Sequence, residues 1–214
     1  MTTIAEEVLL LAYGEQDGKQ LIGSTELDAA IGGALLGELA VTGRIDLADK
    51  KVVVRDATPL GDEELDAPLE RMAAEAKARK PEWWVQRLQT GKVRKRLLTR
   101  LAERGVLDEE RYRTLGIFPG TRYPERDPRV ELEIRERVRN VLAGATPDER
   151  ITVLIAVLHA AKIDRKAFPD ASKERIKEII EGGWAGKAVS DTIAAVNAAV
   201  MATVIAATVV TTTS

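Results

Sequence analysis

The sequence predicts a mainly α, single-domain protein over residues 1–214: a helical bundle surrounded by amphipathic helices, with one or two short β-hairpins. Three observations predict it. Hydrophobic residues make up 45% of the chain and aromatic residues only 4%, so Leu, Ile, Val and Ala must fill the core, which favours helix-on-helix packing. The segment Ile151–Ala161 is apolar nearly all round, the mark of a central bundle helix. No internal repeat and no low-complexity linker divides the chain.

The elements follow in order. Ile4 to Tyr13 reads as a short apolar helix, opened by Glu6 and Glu7, whose charges suit a helix N-terminus. Gln16–Lys19 is a turn. From Glu26 to Thr42, Leu27, Ile31, Leu35 and Leu39 recur every fourth position, predicting an amphipathic helix. Gly32, Gly33 and Gly37 lower its propensity and make sense where another backbone approaches closely; Gly43 is placed to end it. Arg44–Leu47 and Val52–Val54 flank a charged turn and read as a β-hairpin. An acidic loop, Thr58 to Glu64, leads to a helix over 65–78. Pro81 starts a segment carrying Trp83 and Trp84, and residues 91–104 form a basic helix ended by Gly105. Ile117–Tyr123 looks like the turn of a second hairpin, and helices follow near 127–142, 147–161, 170–181 and 187–210. The uncharged run Ile193–Val210 approaches the lower limit for a bilayer span. Its Ala, Val and Thr content, with Asn197 inside it, favours a core helix packed through small residues.

Several chemistries have no residues to run on. The chain has no cysteine, which excludes disulfides, thiolate metal sites and Cys nucleophiles. His159 is the single histidine and sits in the apolar helix, where a hydrogen-bonded core residue is the expected reading. Phosphate-loop, dinucleotide, nucleophile-elbow and zinc-protease motifs are missing, so no enzyme, no cofactor and no metal site is expected. Asp62, Glu63, Glu64 and Asp66 read as a solvated loop with a helix-start charge rather than a cation site. The start of the chain lacks the basic region of a secretory signal, and a cytoplasmic setting is expected.

The informative feature is a basic segment. Ten Lys and Arg residues lie between Lys77 and Arg104, opposed only by Glu82 and Glu103, in a chain of net charge −2. Such local asymmetry belongs either to a solvated face or to a docking surface for phosphates. At about 100° per residue, Val93, Leu97, Leu98 and Leu101 define an apolar arc, and Lys92, Arg96, Arg100 and Arg104 a stripe elsewhere. Arg94 falls inside the apolar arc and needs an anion, because an unpaired guanidinium is costly to desolvate. The partner is either a structural carboxylate such as Glu6, Glu7 or Glu38, or a ligand phosphate near the helix N-terminus. Of the adjacent indoles, one is expected to pack inward and one to reach an interface; Trp84, Ile117 and Phe118 are the candidate membrane contacts.

Several segments together resemble the Golgi phosphoprotein 3 family of phosphoinositide-binding adaptors. They are Glu6–Leu11, Glu38–Arg44, Pro59–Asp62 with Leu65-Asp66, Val93–Leu107, and Glu149–Phe168 through Leu154-Ile155 and His159-Ala160. The resemblance implies a bundle ringed by amphipathic helices, peripheral binding to membranes carrying phosphatidylinositol 4-phosphate, and self-association through a protruding hairpin, here 114–124. In the family the headgroup pocket combines one Trp, one Arg on the next helix, and two Arg three residues apart. Those positions fall at Gly23, Gly32, Gly91 and Arg94, so only Arg94 matches, with Lys92 and Arg96 as neighbours for a less selective phosphate site. The composition and the start of the chain point to a bacterial member. The expected partner is an anionic phospholipid surface, with protein cargo unidentified and no nucleic acid expected. The alternatives are a purely protein-binding scaffold and a winged-helix DNA-binding regulator, whose recognition helix would be 27–42.

Overall fold

The computed structural model describes residues 2–14, 17–114, 118–182 and 187–212. Ten helices and two strand pairs follow in order among them: α1 (Ile4–Leu11), α2 (Ser24–Val41), β1 (Ile45–Ala48), β2 (Lys51–Val54), α3 (Glu63–Ala74), α4 (Pro81–Leu88), α5 (Gly91–Glu103), β3 (Glu110–Thr114), β4 (Phe118–Arg122), α6 (Pro128–Leu142), α7 (Glu149–Ala160), α8 (Asp164–Ala167), α9 (Lys173–Glu181) and α10 (Lys187–Thr212).

The starts of these helices are written locally. Thr3 and Glu6 form a reciprocal capping box on α1, and Asp62, Thr90, Asp127, Asp148 and Ser172 each accept a backbone N–H of the helix they open. A cap of this kind is worth about 1 kcal/mol. Asp66 accepts from the N–H groups of Leu60 and Gly61, so the acidic loop serves the start of α3. Among the described residues no group of three His, Cys, Asp or Glu could hold a metal. The first hairpin pairs Ile45 with Val54 and Ala48 with Lys51. Asp49 and Lys50 turn it with φ of 52° and 60°, the left-handed pair that a two-residue hairpin loop demands. The second hairpin pairs Glu110 with Arg122 and Thr114 with Phe118.

The centre is built from α1, α2, α7 and α10. As expected, α7 is buried on every side from Ile151 to Leu158. The expectation for α2 needs correcting: it is not amphipathic but buried from Leu27 to Leu39, apart from Asp28. Its Leu and Ile residues fill one face, while glycines on the others admit neighbouring helices. A Cβ on Gly32 would lie 2.9 Å from the Val85 carbonyl of α4, one on Gly33 2.2 Å from Val200 of α10, and one on Gly37 2.4 Å from Val153 of α7. Gly33→Val is therefore expected to lower unfolding free energy by about 1–3 kcal/mol through overpacking, read from denaturant midpoints. The same burial removes the winged-helix reading, because a helix enclosed in the bundle cannot enter a groove of DNA.

Along α10, Ile193, Val196, Ala199, Val200 and Val204 are buried against α2, α4 and α7. The C-terminal run is thus a core helix, and no described helix is long and apolar enough to cross a membrane.

Candidate functional site

The basic helix α5 lies against the outside of this core. Leu97, Leu98 and Leu101 are buried and Val93 packs partly against the core, which turns the cationic residues outward or onto neighbouring acids. Those acids sit in an unusual place. Glu6 and Glu7 of α1 are 1% and 2% exposed, and Glu38 of α2 is buried as well; each requires compensation by hydrogen bonds or cations.

Most of the arginines supply that compensation. Arg100 donates to Glu6 and to Asp62, both at 2.8 Å, and Arg104 reaches the same Glu6 at 3.2 Å. Arg96 is bound by both oxygens of the buried Glu64, although its side chain remains 54% exposed. Glu7 pairs with Arg137 and Arg150, and Glu38 with Arg150 and the N–H of Ile4. The stripe read from helical spacing is therefore largely neutralised within the protein. Lys92 and Lys95 are different: both are exposed, and no acid pairs with either among the described residues. They line an open cleft of about 510 Å³ that runs along α5 past Arg96 and Thr99, with Glu63 and Glu103 on its wall.

Arg94 has an anion, and it is not Glu6, Glu7 or Glu38. Its Nη1 lies 3.2 Å from Asp28 Oδ1 of α2 and donates to the Ser24 carbonyl at 3.1 Å. Burial pushes the Asp28 carboxyl above the usual aspartate range, with Arg94 opposing. Two tyrosines stand beside this pair. Tyr13 and Tyr123 meet edge to face at 5.7 Å, and burial pushes the Tyr13 phenol up to about 12, with Arg94 again opposing. Three of the four aligned pocket positions do converge. Gly91 is within reach of Arg94 and Asp28, and Gly23 caps α2 one residue before Ser24, with the Glu26 carboxylate folded over it. The fourth, Gly32, is buried against α4. Gly23, Gly91 and Arg94 thus lie near one another, with the carboxylates of Asp28 and Glu26 beside them.

The indole candidates exchange roles. Trp84 is 3% exposed and packed in the core, so it is in no position to touch a membrane; Trp83 is only partly buried and packs against the core's edge. Arg79 and Arg87 lie 5.0 and 5.1 Å from the Trp83 ring centroid, distances at which guanidinium and indole attract. Trp83 borders an open concavity of about 720 Å³ with Lys51, Lys77 and Lys80, all exposed and none ion-paired among the described residues. Sequence reasoning missed this grouping, because Lys51 arrives from β2: the Val52 N–H donates to the Arg79 carbonyl at 2.8 Å. Ile117 and the Phe118 side chain lie outside the described residues, as does the tip of the 114–124 hairpin. His159 is hydrogen-bonded as expected, to Asp164 at 2.7 Å, but its side chain is one-third exposed and it marks the edge of the core.

The family model for Golgi phosphoprotein 3 (GPP34) matches residues 4–196. The chain belongs to that family.

Proposed function

We propose, from membership of the Golgi phosphoprotein 3 family, that this protein is a non-catalytic, peripheral membrane-binding module for anionic lipid headgroups. Phosphatidylinositol 4-phosphate is the type ligand. The observation that carries the proposal is the division of labour on the basic face: buried acids engage the arginines, while Lys92 and Lys95 stand exposed without an ion-pair partner among the described residues. Unpaired surface lysines gain about 1 kcal/mol each beside an anionic bilayer, and several together give salt-sensitive attachment. Lys51, Lys77 and Lys80 around Trp83 supply a second basic contact with an indole suited to the membrane interface. Arg94 completes the headgroup site once a phosphate displaces Asp28, with Lys92 and Arg96 as its neighbours. Because only Arg94 of the aligned pocket is a cation, binding follows the density of negative charge more than headgroup identity. A cytoplasmic, peripherally attached protein that self-associates through the 114–124 hairpin is the corresponding cellular picture.

Vesicle co-sedimentation tests the reading. The protein is expected to sediment with phosphatidylcholine vesicles containing phosphatidylserine or phosphatidylinositol 4-phosphate at low salt, to stay in solution with phosphatidylcholine alone, and to be released as salt rises. Equal behaviour with charged and neutral vesicles would contradict it, and captured protein partners with no lipid effect would favour a scaffold.

A further inference from the structure

Among the described residues, two buried acceptor oxygens in the C-terminal half, on Asp164 and Asn197, have no hydrogen-bond partner, and both residues line one cavity. Asp164, which opens α8, is 7% exposed; its Oδ2 lies 2.7 Å from His159 Nδ1, whereas Oδ1 meets no donor. Asn197 interrupts the apolar run of α10, and its Oδ1 is also buried without a donor. A buried acceptor without a donor is costly, so two together call for a reason.

The cavity they share measures about 400 Å³ and lies between the end of α7, α8, α9 and α10, a volume suited to a small molecule. Phe168, Ile176, Ile180 and Met201 give it apolar walls, and Arg165 and Lys173 give it cations that are exposed and unpaired among the described residues. A carboxylate accepts only, so His159 Nδ1 carries the proton donated to Asp164, and in a neutral imidazole Nε2 is then an acceptor.

We infer that this cavity binds a small zwitterion, its primary ammonium held by Asp164, Asn197 and His159 and its phosphate or carboxylate by Arg165 and Lys173. An ammonium carries three donors and no acceptor, which suits a lining that includes Asp164, Asn197 and His159; the cations match the opposite charge. The inference is independent of the basic face on α5, since no residue is shared. Free amino-phosphates and the ethanolamine headgroup of a phospholipid present the same chemistry.

Calorimetric titration of the full chain with phosphoethanolamine tests it, with ethanolamine and inorganic phosphate as single-ended probes. Saturable binding is expected, at least tenfold tighter than either single-ended probe. Asn197→Leu is expected to weaken it tenfold or more while raising the melting temperature of the ligand-free protein, because a buried unpaired acceptor is removed. Asp164→Asn is expected to weaken it similarly; should that variant not fold, Asn197→Leu decides alone. A second arm compares phosphatidylcholine vesicles with and without phosphatidylethanolamine. Enhanced sedimentation that Asn197→Leu abolishes assigns the zwitterion to lipid, and soluble binding without that enhancement assigns it to a free metabolite. Absence of saturable binding in both arms, or affinity untouched by Asn197→Leu, overturns the assignment.

Discussion

Asp28→Asn is expected to strengthen binding to anionic vesicles by about five- to thirtyfold, equivalent to about 1–2 kcal/mol for one freed guanidinium and one acid removed. Arg94 is the sole aligned pocket cation, and its charge is balanced by Asp28 at 3.2 Å. A headgroup phosphate must displace that carboxylate or bind beside it against repulsion. Asparagine leaves the volume nearly unchanged and removes the competitor. The double variant Asp28→Asn/Arg94→Ala should fall back to or below wild-type affinity, which ties the gain to Arg94 rather than to net charge.

Mild acid should act in the same direction. Burial raises the Asp28 carboxyl above its unfolded value, so the folded state favours the protonated form. The resulting stabilisation is present below the ordinary aspartate range and is lost as pH rises through the elevated value. Lowering pH from neutral toward the elevated value should therefore begin to release Arg94 and tighten binding to phosphatidylglycerol vesicles, whose phosphodiester charge does not change in mild acid. In Asp28→Asn this pH response should be reduced. Vesicle titrations at several pH values check both statements.

Arg150→Ala is expected to destabilise the fold by about 3–5 kcal/mol, the range for removing one partner of a buried ion pair. Arg150 ties α7 to the first two helices: it reaches Glu38 and Glu7 and donates to the Thr2 carbonyl at 2.6 Å. Without it, Glu38 keeps, among the described residues, only the Ile4 N–H at 2.7 Å, and Glu7 keeps Arg137 and the Thr2 hydroxyl. Burial already raises the Glu38 carboxyl, with Arg150 opposing, so losing the guanidinium raises it further. Acid should then recover part of the lost stability, and Glu38→Gln should partly rescue Arg150→Ala. Denaturant unfolding near neutral and mildly acid pH measures each effect.

The parts of the structure legible in the sequence are those set by local rules. Helical period placed α5 and α7, and Gly105 marked the end of α5. What escaped depends on distant chain segments. Leu27, Ile31, Leu35 and Leu39 announced one buried face of α2, but its full enclosure rests on glycines that admit α4, α7 and α10. The apolar arc of α5 showed that Arg94 needs an anion; it could not choose between Glu6 and Asp28, 88 and 66 positions away in sequence. Charge counting found the basic segment yet could not separate the lysines from arginines already committed to Glu6, Asp62 and Glu64. Adjacent Trp83 and Trp84 signalled one inward and one outward indole, and only the packing of α4 on α2 and α10 decides which.

The affinity of the Lys92→Ala/Lys95→Ala variant for phosphatidylserine vesicles at low salt, measured beside the wild-type protein, tests the central claim most directly. Neither lysine is ion-paired among the described residues, so folding should be preserved while affinity drops about ten- to thirtyfold, near 1 kcal/mol per lysine. An affinity equal to wild type in a folded variant would contradict the account.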